Sequence, residues 1–110
     1  MKPIPRRMLP NEVTYKEYLG DTGEGISFSS PITLKNVKIE EYRKFAYTSN
    51  GREQIGNATL FYDCTNSIGL TSEPIPESKI IFNDKEYTVV DTDVLRANSD
   101  DPHHYEVLLK

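Results

Sequence analysis

The chain has 110 residues and a mass of 12.6 kDa, room for one domain and one core, since domains typically run about 100–150 residues. Leu, Ile, Val and Phe make up roughly a quarter of it, above the fraction of about 20% under which disorder is expected, while 36% hydrophobic content predicts a thin core with much chain in loops. One cysteine, a net charge of −4 and a pI near 5.1 exclude an intramolecular disulfide and a zinc site built on cysteine pairs, and argue against a dedicated nucleic-acid binder.

The charge is uneven. Lys2, Arg6 and Arg7 stand in residues 1–10 with no acid, leaving ten cations against seventeen acids in residues 11–110. The same stretch holds Pro3, Pro5 and Pro10. Proline fixes φ and removes a donor, so an extended basic arm is predicted over 1–10, ahead of a single β-barrel domain over 11–110. The arm lacks the apolar stretch of a secretory signal, and no run approaches the ~20 apolar residues of a membrane span. Synthesis in a reducing cytosol is expected.

In residues 13–18 apolar and polar side chains roughly alternate, as a half-buried strand requires. Residues 20–25, rich in Gly and Asp, predict a turn or loop. The next strand spans residues 31–42. Ile32 and Leu34 share one parity, whereas Val37 and Ile39 share the other. A phase change near Lys35 and Asn36 predicts a β-bulge, which bends a strand and suits a small closed barrel. Residues 43–57 hold few aliphatics and contain Ser49-Asn50-Gly51, a tight-turn signal. This segment is either one long loop or a projecting hairpin, and long segments of this kind are often functional.

Residues 57–65 form the next predicted strand, with Ala58, Leu60, Tyr62 and Cys64 facing one way. Gly69, Pro74 and Pro76 make residues 66–78 a loop. Residues 79–82 and 86–90 predict a hairpin across Asn83-Asp84-Lys85. The acidic stretch 91–102 reads as loop, with one helical turn at 93–96. In the last strand, Tyr105, Val107 and Leu109 share a face. The expected fold is all-β: a small closed or partly open barrel of five to seven short strands with long loops.

No catalytic, cofactor or metal constellation emerges. His103 and His104 are adjacent on a strand, so their imidazoles point to opposite faces and chelate poorly, whatever the nearby Asp91, Asp93, Asp100 and Asp101 offer. Cys64 continues the parity of Leu60 and Tyr62, the pattern of a buried, inert thiol. Residues 20–25 lack the Gly-Lys-Ser/Thr ending of a phosphate loop. Glu40-Glu41 and Asp100-Asp101 read as solvated carboxylates. Lys2, Arg6 and Arg7 suit a docking arm, since an extended proline-rich segment loses little entropy on binding.

Six stretches, in order along nearly the whole chain, carry a family resemblance. They are Lys2-Pro3-Ile4-Pro5-Arg6-Arg7, Val13-Thr14-Tyr15-Lys16-Glu17-Tyr18, Ile32-Thr33-Leu34-Lys35-Asn36-Val37, Ala58-Thr59-Leu60-Phe61-Tyr62-Asp63-Cys64, the run from Ile80 to Val90, and His103-His104-Tyr105-Glu106-Val107. The chain resembles the short minor capsid proteins of tailed bacteriophages that infect Gram-positive bacteria, and is similar to head-completion, or stopper, proteins of the head–tail connector. The resemblance implies a non-enzymatic virion protein without cofactors. It would form a ring below the portal and adaptor, help retain DNA and offer the tail a docking surface. It would be made in the host bacterial cytoplasm and reside at the virion neck, away from any membrane, beside packaged DNA that it does not read by sequence. The channel loop would be 43–57, with Arg43, Lys44, Phe45, Tyr47, Asn50, Gly51 and Arg52. The arm, with Lys2, Arg6 and Arg7, would touch a neighbouring subunit or ring. The alternative is a small OB-like barrel binding single-stranded nucleic acid through Tyr42, Phe45 and Tyr47 beside Arg43 and Lys44.

Overall fold

The computed structural model describes residues 2–23, 25–96 and 100–110. Ten strands follow a short 3-10 turn at Arg6–Met8: β1 (Asn11–Lys16), β2 (Tyr18–Thr22), β3 (Gly25–Phe28), β4 (Ile32–Glu40), β5 (Lys44–Thr48), β6 (Gly51–Gly56), β7 (Ala58–Asp63), β8 (Lys79–Phe82), β9 (Lys85–Arg96) and β10 (Pro102–Leu109). Six of them close an antiparallel barrel in the order β1-β4-β7-β10-β9-β8, with β8 pairing back to β1. The other four make two separate two-stranded sheets, β2-β3 and β5-β6. The expected small all-β barrel is therefore the observed one.

Alternation along each strand fills the barrel. Val13, Tyr15, Leu60, Tyr62, Ile80, Tyr87, Val89, Val107 and Leu109 point inward and form one cluster. Each fully buried aliphatic side chain contributes about 1.5–3 kcal/mol relative to exposure. On β4 the inward set is Leu34, Val37 and Ile39, which needs one extra residue between Leu34 and Val37. That residue is Asn36. Asn11 pairs with Val37 and Glu12 with Lys35, so Asn36 is left out of the register, at φ 56°. Its Nδ2 donates to the carbonyl of Asn66, and its own carbonyl accepts the Ser67 hydroxyl. The bulge predicted from the change of parity is present and anchors the following loop.

Three expectations are corrected. The strand predicted over 13–18 ends at Lys16, because the next amides leave the barrel ladder: Glu17 N–H donates to Ser29 Oγ and Tyr18 N–H to Ser78 Oγ. Residues 20–25 are largely strand, the ends of the β2-β3 hairpin around Gly23, and Glu24 lies outside the described residues. Residues 91–96 are the outer half of β9 and contain no helical turn, because β10 supplies partners from Leu108 opposite Asp91 to His104 opposite Leu95. The remainder of that predicted loop, 97–99, lies outside the described residues.

The two small hairpins leave opposite ends of β4. The β2-β3 hairpin enters its first residue, Ile32, and the β5-β6 hairpin follows its last, Glu40. The second hairpin resolves the alternatives for 43–57 in favour of a projecting hairpin. Its turn has Thr48 opposite Gly51, and Gly51 alone takes the left-handed backbone, at φ 106°. Thr48 Oγ1 receives the N–H of Asn50 and donates to the carbonyl of Gly51, which closes the tip.

Candidate functional site

The β5-β6 hairpin pairs Phe45 with Gln54 and Tyr47 with Arg52, so these four residues share one face. Arg52 sets its guanidinium 4.3 Å from the centroid of the Phe45 ring. Such a contact is worth about 0.5–1 kcal/mol at an exposed site and stiffens the hairpin. Tyr47 is 86% exposed, and Tyr42 at the root and Ile55 on β6 are exposed as well. Arg43, Lys44 and Asn50 are exposed as well. All seven residues expected in the channel loop thus lie on this one projection or at its root. None of them belongs to the barrel core cluster.

The root is tied down. Glu41 Oε2 accepts the hydroxyl of Tyr87 and lies 3.2 Å from the ammonium of Lys85. The Tyr87 hydroxyl, first, and the Lys85 ammonium, second, hold the Glu41 carboxyl below its ordinary range. Burial, then the Glu41 carboxylate, pushes Tyr87 up to about 12. At the other side of the root, Gly56 packs so closely on β10 that an added Cβ would lie 2.5 Å from Leu108 Cδ1 and 2.9 Å from the carbonyl of Leu109.

Residues 2–10 lie along the outside of the barrel as a strap. Ile4 donates its N–H to Asp63 Oδ1 at 3.1 Å and accepts from Asn66 Nδ2 at 2.7 Å. Leu9 is 2% exposed yet stands apart from the core cluster. Ile4, Met8 and Leu9 line a cavity of about 250 Å³ against Lys38, Glu40, Phe61 and His104, side chains on the outer wall of β4, β7 and β10. Lys2, Arg6 and Arg7 are exposed on the strap.

At the leading end of the strap, two predicted features change. His103 and His104 do not point apart: their Nδ1 atoms lie 2.7 Å from each other. The register breaks between Pro102 and His104, which suspends the alternation of faces. Cys64 lies just beyond β7 and is half-buried, with Tyr105 as its side-chain partner. Burial pushes its thiol up, and the residue is less buried than its parity predicts. Among the described residues no group of three or more His, Cys, Asp or Glu side chains is placed to hold a metal ion. No helix among them is long and apolar enough to cross a membrane.

The molecule is thus a small closed barrel with a filled interior, from which a hairpin bearing exposed Tyr47 and Arg52 projects and along which a strap bearing exposed Lys2, Arg6 and Arg7 runs. The chain belongs to the minor capsid protein family, whose model matches residues 5–109. Membership gives it a structural part in a virion and points away from catalysis. Comparison with curated proteins and with solved structures returned no match.

Proposed function

We propose that this minor capsid protein is a head-completion, or stopper, subunit of the head–tail connector. Copies form a ring below the portal and adaptor, present the tail with its docking surface and help retain the packaged DNA. The observation that supports this reading is the β5-β6 hairpin, which stands outside the barrel with Phe45, Tyr47 and Arg52 on one face. In a ring, such hairpins converge on the axis. Residues 41–57 carry Arg43, Lys44 and Arg52 against Glu41 and Glu53, a net charge of +1 that attracts DNA only weakly, while the acidic body suits a lumen that DNA slides past without sticking. The exposed Lys2, Arg6 and Arg7 of the strap meet an acidic surface on a neighbouring subunit or ring.

Electron microscopy of purified virions with a label on this chain tests the proposal. Label at the neck is expected; label on the tail tip, or on the shell away from the portal vertex, overturns it.

Exposed Tyr42 and Tyr47 close to Arg43 and Lys44 favour a second reading, binding of single-stranded nucleic acid by stacking. A filter-binding titration at low salt separates the two. Submicromolar affinity supports stacking, and its absence leaves the connector role.

A further inference from the structure

Two segments on either side of β1 carry opposite charge. Residues 1–10 hold Lys2, Arg6 and Arg7 and no acid, whereas residues 17–30 hold Glu17, Asp21 and Glu24 and no lysine or arginine. The strap runs into the first residue of β1, and the β2-β3 hairpin leaves its last, at the other end of a six-residue strand about 20 Å long.

The hairpin is a preformed knob. Its root is closed by Glu17 N–H donating to Ser29 Oγ, Ser29 N–H donating to the carbonyl of Glu17, and Tyr18 N–H donating to Ser78 Oγ. The Tyr18 and Phe28 rings, with centroids 6.1 Å apart, stiffen that root. Further out, Asp21 stands directly opposite Ile26, so a carboxylate and an aliphatic side chain share one face. Ile26 is 65% exposed and Leu19 58% exposed.

The strap offers the counterpart. Ile4, Met8, Leu9 and Phe61 give its cavity of about 250 Å³ an apolar lining. An apolar cavity of about 150 Å³ already admits a benzene, so this one has room for a branched aliphatic side chain. Met8 is 48% exposed, so the cavity reaches the surface at the strap. Arg6 and Arg7 precede Met8 in the 3-10 turn, and among the described residues no ion pair engages them. Lys38 and Glu40, which also line the cavity, pair with each other at 3.0 Å and leave the strap cations to set the local charge. No residue of the β2-β3 hairpin lines the cavity within one copy.

We infer that the β2-β3 hairpin of one copy docks on the strap of a second copy, with Ile26 entering the strap cavity and Asp21 meeting Arg6 and Arg7. The contact joins two different surfaces, so it repeats from copy to copy and closes into a ring where the rotation allows. It names the acidic surface that the strap meets, and it rests on the connector reading only for that closure.

Cross-linking of the purified full chain tests this, in a Cys64→Ala background that removes the native thiol. One chain carries Met8→Cys and another Ile26→Cys, both at exposed positions outside the core cluster. Mixed in equal amounts at low salt with a short bismaleimide, they should join about tenfold faster than either chain alone, because docking raises the effective concentration of the two thiols. A chain with both cysteines should give a ladder of oligomers. Adding salt should shrink the advantage, and Arg6→Glu with Arg7→Glu in the strap chain should remove it. Equal rates for mixed and single chains, faster joining of two hairpin or two strap cysteines, or an advantage that survives the charge reversal overturns the contact. Neck label on virions without this cross-linking pattern defeats the contact alone, and the pattern with label away from the neck defeats the connector reading alone.

Discussion

Glu41 and Tyr87 are joined by a hydrogen bond from the tyrosine hydroxyl to Oε2 of the carboxylate, although they are 46 positions apart. Tyr87 is buried in β9, and Glu41 is the first residue after β4, at the root of the projecting hairpin. The bond couples a core side chain to the direction in which that hairpin leaves the barrel.

The pair sets a pH window. Glu41 is held below its ordinary range, so the folded chain binds fewer protons there than the unfolded one. Its contribution is present above the unfolded value and is lost as pH falls through the folded one. Tyr87 is raised to about 12, so its contribution is complete below the ordinary tyrosine value and is lost as pH rises through about 12. Phenolate absorbance across an alkaline titration should show one tyrosine titrating near the top of the range. In Glu41→Gln that transition should move down, since the carboxylate both accepts from the hydroxyl and repels the phenolate. An unchanged alkaline titration would show that Glu41 does not reach Tyr87.

Ser78 is a second buried junction. It is fully buried, and its Oγ accepts from the Tyr15 hydroxyl at 3.2 Å and from the Tyr18 amide at 2.9 Å. Ser78→Ala leaves both donors without that acceptor. An unsatisfied buried donor costs about 1–3 kcal/mol, so urea unfolding should place the variant about 2 kcal/mol or more below the parent. A loss under about 0.5 kcal/mol would mean that water replaces the hydroxyl at no cost.

Where one face of a strand is apolar and the other polar, the fold was legible in the sequence. Leu34, Val37 and Ile39 betray the bulge at Asn36, and Val107 and Leu109 betray β10. Asn83 and Asp84 mark the β8-β9 turn, both with left-handed backbone, at φ 49° and 66°. The outer half of β9 was not legible, because Asp91 and Asp93 present carboxylates and only pairing with β10 makes the segment extended. Ile32 shares the parity of Leu34 but sits at the strand end and is exposed. For the candidate site, the turn at Ser49-Asn50-Gly51 marked the hairpin. The contacts of Glu41 with Tyr87, Ile4 with Asp63 and His103 with Lys2 join residues 46, 59 and 101 positions apart, and local pattern carries no trace of them.

Gly69 tests the junction between the loop 64–78 and β4. Its φ of 129° is one that side chains rarely adopt, and an added Cβ would stand 2.7 Å from the carbonyl oxygen of Thr33. The neighbouring Lys35 and Ile68 exchange two backbone hydrogen bonds of 3.0 Å, so the loop cannot slide away without breaking them. Strained backbone costs about 1–3 kcal/mol, and overpacking adds a similar amount. Gly69→Ala should lose about 3 kcal/mol in urea unfolding. Gly23→Ala should lose less than about 1 kcal/mol, because nothing lies within 4 Å of its added Cβ. Equal losses would refute the close approach at Gly69.

Tyr47 separates folding from assembly. Its ring is 86% exposed at the hairpin, outside the core cluster, so Tyr47→Ala should change unfolding free energy by less than about 0.5 kcal/mol. Replacing residues 45–54 by a short turn, which keeps Gly56 in its contact with β10, should likewise leave the barrel folded, since β5 and β6 pair with each other in a sheet of their own. The replacement must keep Glu41, whose carboxylate belongs to the barrel end through Tyr87 and Lys85. Under the connector proposal both changes strike where hairpins meet in the ring. Particles assembled with either variant should then retain packaged DNA poorly while the purified chain melts as the parent does. DNA retention measured by nuclease sensitivity of purified particles checks this. Full retention with the hairpin removed would take the hairpin out of channel closure, and a lowered melting temperature would show that the hairpin supports the barrel.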